Sequence, residues 1–394
     1  MSNTTLIDTQ EELNKLIENL KKEDVIALDT EFHGEKRYWP ELFLIQFAGR
    51  NGPVAVDPVG IEDLSPIGEL LESEVPVKVI HSARNDIDVL MHHLDIVFSS
   101  VFDTQLAAAF LGYELQISLY NLVRTECGKT PQKGHTLSDW SIRPLSREQI
   151  EYALNDVRYL LSIYRNQMKR LKSTGRLNWY TEQAESLTFP STYEIPLKKV
   201  FQRVRSTGKI SQSRLPILWA LVLWREKTAE ELNKPRNYIV RDHILGAITA
   251  MAPEKVSSLS RLRGISSGFI KKWGNEILGV IKEARINPPD NIPDIPKYHS
   301  KPGISARRDI LRIFLKQESN RLGISPALLL SSDMMDALAK HPPASKEDFS
   351  AIPGLSGWRR EALGDDLISL LEGKIALSLK QGRRPGLKFV KVEE

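Results

Sequence analysis

The strongest constraint on this chain is a change of patterning near residue 200. Before it, short β-rich runs alternate with helical patterns. Asp24–Asp29, Leu42–Ala48, Val54–Val56 and Val77–Ile80 are strand-like runs, and Phe98–Phe102 is a short fifth one. Asn51-Gly52 supplies a hairpin turn between the second and third runs. Strands first paired as a meander, then alternating with helices, predict a mixed sheet covered by helices. After residue 200 the strand signals vanish. Apolar residues then recur at helical spacing, as in Leu215, Leu218, Trp219, Val222 and Leu223.

The helical half repeats itself. Leu232, Pro235 and Asp242 recur as Leu322, Pro326 and Asp333, and Arg263-Gly264-Ile265 with Gly274 recurs as Pro353-Gly354-Leu355 with Gly364. An offset of about 90 residues, kept across several Gly and Pro positions, predicts tandem copies of one small helical domain. Between the copies, Asn287–Pro296 is too proline-rich for a helix and is expected to act as a semi-rigid linker. The chain closes on Lys380–Lys391, a basic segment expected to lack regular structure.

Composition narrows the class. In 394 residues there is one cysteine, Cys127, which excludes a disulfide framework and a thiolate zinc site. No apolar run approaches the ~20 residues of a membrane span. The start, MSNTTLIDTQEELNKL, has neither the basic nor the apolar region of a secretory signal and reads as a helix entry capped by Asp8 or Thr9. These features predict a cytoplasmic, soluble chain. The overall charge of +4 divides unevenly, with −9 over residues 1–190 and +13 over residues 191–394. An acidic half suits cations and a basic half suits polyanions.

The acidic half places carboxylates where they can act together. Asp29 and Glu31 are two apart in a strand, so both point to the same face. Side by side they repel unless a cation lies between them, and oxygen-only ligands suit Mg²⁺ or Mn²⁺. At this level the alternative is a solvated strand end. Asp86 stands about a turn into the helix after Val77–Ile80, where α/β proteins assemble sites, or where a helix dipole favours an acid. Tyr152 and Asp156 are four apart and share one helix face.

In this order, Asp29-x-Glu31, Asp86 and Tyr152-x-x-x-Asp156 resemble the DEDD superfamily of 3′→5′ exonucleases, in the branch that carries tyrosine (DEDDy). Ala27–Phe32, Leu44–Phe47, Phe102–Gln105 and Asp139-Trp140-Ser-Ile-Arg143-Pro144-Leu145 narrow the likeness to the ribonuclease D family. The spacing from His81 favours Asp86 over Asp88 and Asp95 by analogy. The repeated unit resembles HRDC domains. The resemblance implies an α/β, ribonuclease H-like, mixed-sheet exonuclease domain over residues 1–190. A connector follows at 191–210, then an HRDC-like all-α domain at 211–287, a linker at 288–302, a second such domain at 303–378 and a basic tail at 379–394.

The family's reaction is hydrolysis of the terminal phosphodiester to nucleoside 5′-monophosphates, with two divalent cations about 4 Å apart. By that resemblance Asp29 bridges both ions, Glu31 and Asp156 complete one, Asp86 serves the other through water, and Tyr152 orients the nucleophile. The implied partner is RNA, including tRNA precursors and other structured RNA 3′ ends, acted on by a monomer. A DNA exonuclease and a non-catalytic nucleic-acid-binding protein are the alternatives.

Contacts to substrate are less sharply indicated. Phe32, Tyr38 and Trp39 are candidates to stack on terminal bases or to be core and loop anchors. Trp140 is a further candidate, and Arg143 could hold a phosphate or form a structural ion pair. In the basic half, Lys198–Lys209, Arg261–Lys272, Arg307–Arg312 and Arg359-Arg360 are candidate phosphate contacts. His33, His81, His92, His93 and His135 have no metal-ligand spacing.

Overall fold

A computed structural model of the chain describes residues 6–131, 139–294, 302–345, 347–355, 357–380 and 386–392. His135 and parts of the expected linker and tail lie outside these residues. Six strands form one sheet: β1 (Leu6–Ile7), β2 (Val25–His33), β3 (Glu41–Gly49), β4 (Gly52–Val56), β5 (Val77–Ile80) and β6 (Val101–Asp103). Their order is β1-β4-β3-β2-β5-β6. β3 and β4 are an antiparallel hairpin closed where Gly49 faces Gly52, while β2–β5 and β5–β6 run parallel. The sheet is therefore mixed, as the strand pattern predicts. Ile26, Ala27 and Leu28 of β2 and Leu44, Ile45 and Phe47 of β3 are fully buried, because helices cover the sheet.

The helices of this region are α1 (Gln10–Leu20), α2 (Ser65–Glu72), α3 (Arg84–Leu94), α4 (Thr104–Phe110), α5 (Leu119–Cys127), α6 (Arg147–Arg158), α7 (Leu160–Ser173) and α8 (Leu177–Glu185). Thr9 occupies the N-cap position of α1. Beyond them come α9 (Leu197–Ser206), α10 (Leu215–Glu231), α11 (Arg236–Ile239), α12 (Asp242–Met251) and α13 (Ser267–Ile286). The second repeat has α14 (Pro302–Leu322), α15 (Pro326–Leu329), α16 (Ser332–Lys340) and α17 (Trp358–Leu371). Its correspondence with α10–α13 extends to the backbone. Gly264 and Gly354 both turn through positive φ, at +90° and +78°, which a side chain would resist.

The chain divides into two compact units. One gathers Met1–Glu31, Leu42–Thr192 and His299–Glu394. In it the second helical repeat and the sheet-bearing region share a continuous core. Trp358 is buried, stacks on Trp179 at 5.5 Å between centroids and meets Phe110 edge-on at 5.1 Å. Such pairs contribute about 0.5–1.5 kcal/mol beyond area burial. Glu182 accepts the Trp358 backbone N–H at 2.7 Å, and the Trp179 indole N–H donates to Glu361 at 3.1 Å.

The other unit gathers Phe32–Glu41 with Tyr193–Tyr298. Asn233, in the left-handed region after α10, accepts the backbone N–H groups of Tyr38 and Trp39 at 3.0 Å each. The Tyr38 ring packs on the apolar core of the first repeat. Its phenol is pushed up to about 12, by burial first and then by Glu226 and Glu230. The segment after the acidic strand therefore belongs structurally to the first helical repeat. The chain's last segment departs from expectation. β7 (Ile375–Lys380) and β8 (Gly386–Lys391) form an antiparallel pair, because Leu387-Lys388-Phe389 alternates as a strand does.

Candidate active site

β2 presents Asp29 and Glu31 on one face, two residues apart and both half-buried. Asp156 reaches them from α6. A reciprocal capping box between Ser146 and Gln149 fixes where that helix begins. Its buried residues Ile150, Ala153, Leu154 and Val157 set its rotation, leaving Tyr152 and Asp156 together on its flank. One carboxylate oxygen each from Asp29, Glu31 and Asp156 lies within 4.8 Å of the others. Asp86, in the first turn of α3, is buried and accepts the Thr30 backbone N–H at 3.2 Å and the Thr30 hydroxyl at 2.5 Å. Thr30 stands between Asp29 and Glu31, so the fourth carboxylate is tied to the same strand.

The electrostatics are those of a site built for cations. Burial, then the negative charges of Asp86, Asp156 and Glu31, raise Asp29 well above the ordinary carboxylate range. Glu31 is pushed up to about 8, by burial first and then by Asp156 and Asp86. Burial carries Asp86 and Asp156 to about 7, although hydrogen bonds from Thr30 and Tyr152 oppose it. The charges acting on Asp29 and Glu31 are other carboxylates, and a divalent cation among them would relieve the repulsion. The donors are all oxygens, which fits Mg²⁺ or Mn²⁺. The Tyr152 phenol donates to Asp156, and burial beside Asp156, Glu31 and Asp29 raises it further above its ordinary value. It is a neutral donor at physiological pH.

The remaining candidates separate. Trp140 is buried in a cluster with Phe43, Leu44, Leu145 and Ile150, with its ring centroid 6.3 Å from that of Tyr152. It backs the tyrosine from within that cluster. Of the two roles open to Arg143, its contacts are those of the structural ion pair. Its guanidinium donates to both Asp57 oxygens and to the carbonyls of Phe43, Trp140 and Ile142, so its donors are occupied within the fold. Phe32 is half-buried at the end of β2, while Tyr38 and Trp39 belong with the first helical repeat. Tyr38 is held by that repeat's core, the anchoring role rather than the stacking one.

Several basic candidates are also engaged. Arg359 is buried and donates to the carbonyls of Leu328, Leu329 and Gly354, while Arg203 pairs with Asp242 and Arg308 with Asp336. Trp219 and Trp224 are core residues. Sequence reasoning did not single out Thr30, Asp57, Asn233 or Asp103. Thr30 lies between the two strand carboxylates, and its link to Asp86 crosses 56 residues. Asp57 and Asn233 act across 86 and 195 residues and leave no local signal.

Comparison with known proteins places the chain among known families. The family model described as 3′-5′ exonuclease matches residues 4–172, and the HRDC domain model matches 214–281 and 305–371. Ribonuclease D of Gluconacetobacter diazotrophicus is 36% identical over 95% of this chain and 94% of its own. Ribonuclease D of Granulibacter bethesdensis is 36% identical over the same shares. The crystal structure of Escherichia coli RNase D, an exoribonuclease involved in structured RNA processing, superposes with a TM-score of 0.83. It is 27% identical and covers 94% of this chain and 99% of that one.

Proposed function

The chain belongs to the ribonuclease D family, and from that premise we propose that its carboxylate cluster performs metal-dependent 3′→5′ hydrolysis of RNA. The chain is a 3′-5′ exoribonuclease. The observation that carries it is the convergence of Asp29, Glu31 and Asp156 within 4.8 Å. Asp29, Glu31 and Asp156, with Asp86 beside them, would hold two divalent cations, Mg²⁺ or Mn²⁺. Such ions supply a nucleophilic hydroxide at neutral pH and stabilise the charge on the leaving oxygen.

The chain's own groups do the rest. Asp29 and Glu31 define the face of the strand on which the terminal phosphodiester lies. The Tyr152 phenol, neutral and hydrogen-bonded to Asp156, orients the attacking water and takes no proton, because its raised pKa opposes ionisation. Products are nucleoside 5′-monophosphates. Substrates are the 3′ ends of structured RNAs, with tRNA precursors among them, gripped through phosphates by the basic half.

The test uses 3′-labelled precursor tRNA and a DNA of equal length, each with Mg²⁺ or Mn²⁺. Labelled mononucleotide from RNA in preference to DNA supports the reading. Faster release from DNA than from RNA would favour a DNA exonuclease, and release from neither polymer with either cation would overturn the metal-dependent reading.

A further inference from the structure

α3, the helix that carries Asp86, does not cap itself. Its N-cap position is Ala83, which has no side-chain acceptor, yet the first N–H groups of a helix need partners. The turn into it passes through Ser82 at φ +60°, a conformation that side chains disfavour. Both positions are held from the neighbouring strand. Asp103 Oδ1 accepts the Ser82 N–H at 3.1 Å, and its Oδ2 accepts the Ala83 N–H at 3.0 Å. The same Oδ1 also accepts the N–H groups of Gln105 and Leu106 at 2.8 and 3.2 Å, so one carboxylate caps α3 and α4 together.

Asp103 is itself fixed. It is buried, paired in register with Ile80 across β5 and β6, and its backbone N–H donates to the Tyr180 hydroxyl at 2.8 Å. Next to it, Thr104 Oγ1 lies 2.9 Å from His81 Nδ1, and His81 Nε2 lies 3.1 Å from the Ile117 carbonyl. Residues 81–83 are thus held by the strip that begins at Asp103. Three residues beyond Ala83 on α3, Asp86 meets Thr30.

We propose that Asp103 is a positioning residue of the exonuclease reaction: by capping α3 from β6 it fixes where Asp86 stands against Thr30, and so the fourth carboxylate of the cation site. The inference rests on the function proposed above, in which Asp86 serves the cations. Asp103 is not one of the clustered carboxylates, although its charge acts on Asp86. Its role is to set helix position, and supporting residues of this kind typically change metal affinity or activity about 10–100-fold.

Two variants test it. Asp103→Asn keeps the shape but turns one acceptor into a donor facing an N–H group. Asp103→Ser can still cap α4 and cannot reach the α3 turn. Each is assayed on 3′-labelled RNA for kcat and KM, with Mn²⁺ affinity measured by calorimetry on the full chain and Asp86→Ala alongside. The expected result is a kcat lowered about 10–100-fold and Mn²⁺ binding weakened about tenfold, with KM for RNA nearly unchanged.

Wild-type kcat and Mn²⁺ affinity in the folded Asp103 variants, with Asp86→Ala inactive, would overturn this inference alone, even if melting temperatures fell. Should Asp103→Asn not fold, Asp103→Ser decides by the same criteria. Full turnover by Asp86→Ala would overturn the underlying function and this inference with it.

Discussion

Arg143 and Asp57 meet through two parallel hydrogen bonds, Nε to Oδ2 at 2.5 Å and Nη2 to Oδ1 at 2.9 Å. Asp57 lies just after β4 and Arg143 just before α6, so the fork joins the sheet to the helix that carries Tyr152 and Asp156. Bidentate pairing of this kind needs the planar guanidinium. Arg143→Lys is therefore expected to lower stability by about 2 kcal/mol in urea denaturation, with RNA affinity unchanged. Loss of RNA affinity at full stability would restore the phosphate-binding role.

Tyr152 and Asp156 form the second coupling. With the phenol neutral and donating to Asp156, Tyr152→Phe removes one oriented hydrogen bond and little volume. The expected kcat falls about 100-fold, while RNA binding measured in Ca²⁺ stays near wild type. An equal loss of binding and turnover would count against positioning.

Trp358 tests the shared core of the second helical repeat and the sheet-bearing region. It is buried between Trp179 and Phe110, and removing such a ring leaves a cavity. Trp358→Ala should cost about 3–5 kcal/mol in chemical denaturation. A cost below about 1 kcal/mol would show that the repeat is not docked through this ring.

Lys78 gives the pH dependence. It is fully buried on β5 and donates to the Ser73 carbonyl, and burial pushes its ammonium down to about 8. Between pH 8 and about 10.5 the unfolded chain holds the extra proton, so this residue's contribution to stability rises with pH there. Below pH 8 the destabilisation is fully present. Lys78→Met should raise the urea midpoint at pH 7, and the gain should shrink by pH 10. A gain that is the same at both pH values would show that charge burial is not its cause.

Much of this architecture was legible in the sequence because its signals are local. Val25–Asp29 and Leu42–Ala48 announce strands through continuous apolar runs, and the two-residue and four-residue spacings bring Asp29, Glu31, Tyr152 and Asp156 to shared faces. β1 has only two residues and falls below any periodic signal. The β7–β8 pair was hidden by the surrounding basic charge. The roles of Arg143, Trp140 and Tyr38 were ambiguous because each depends on partners distant in sequence. Asp57, the Phe43–Ile150 cluster and Asn233 decide them, and no spacing rule reveals those partners.

The central claim is that Asp29 and its neighbouring carboxylates hold the cations that cleave the RNA 3′ end. Its most direct test is single-turnover release of the 3′-terminal nucleotide by wild type and by Asp29→Asn, with Mn²⁺ and again with EDTA. Wild type should release nucleoside 5′-monophosphate only with Mn²⁺, and Asp29→Asn should lose at least about 100-fold in rate while still binding RNA. Wild-type release in EDTA, or undiminished release by folded Asp29→Asn, would contradict the account.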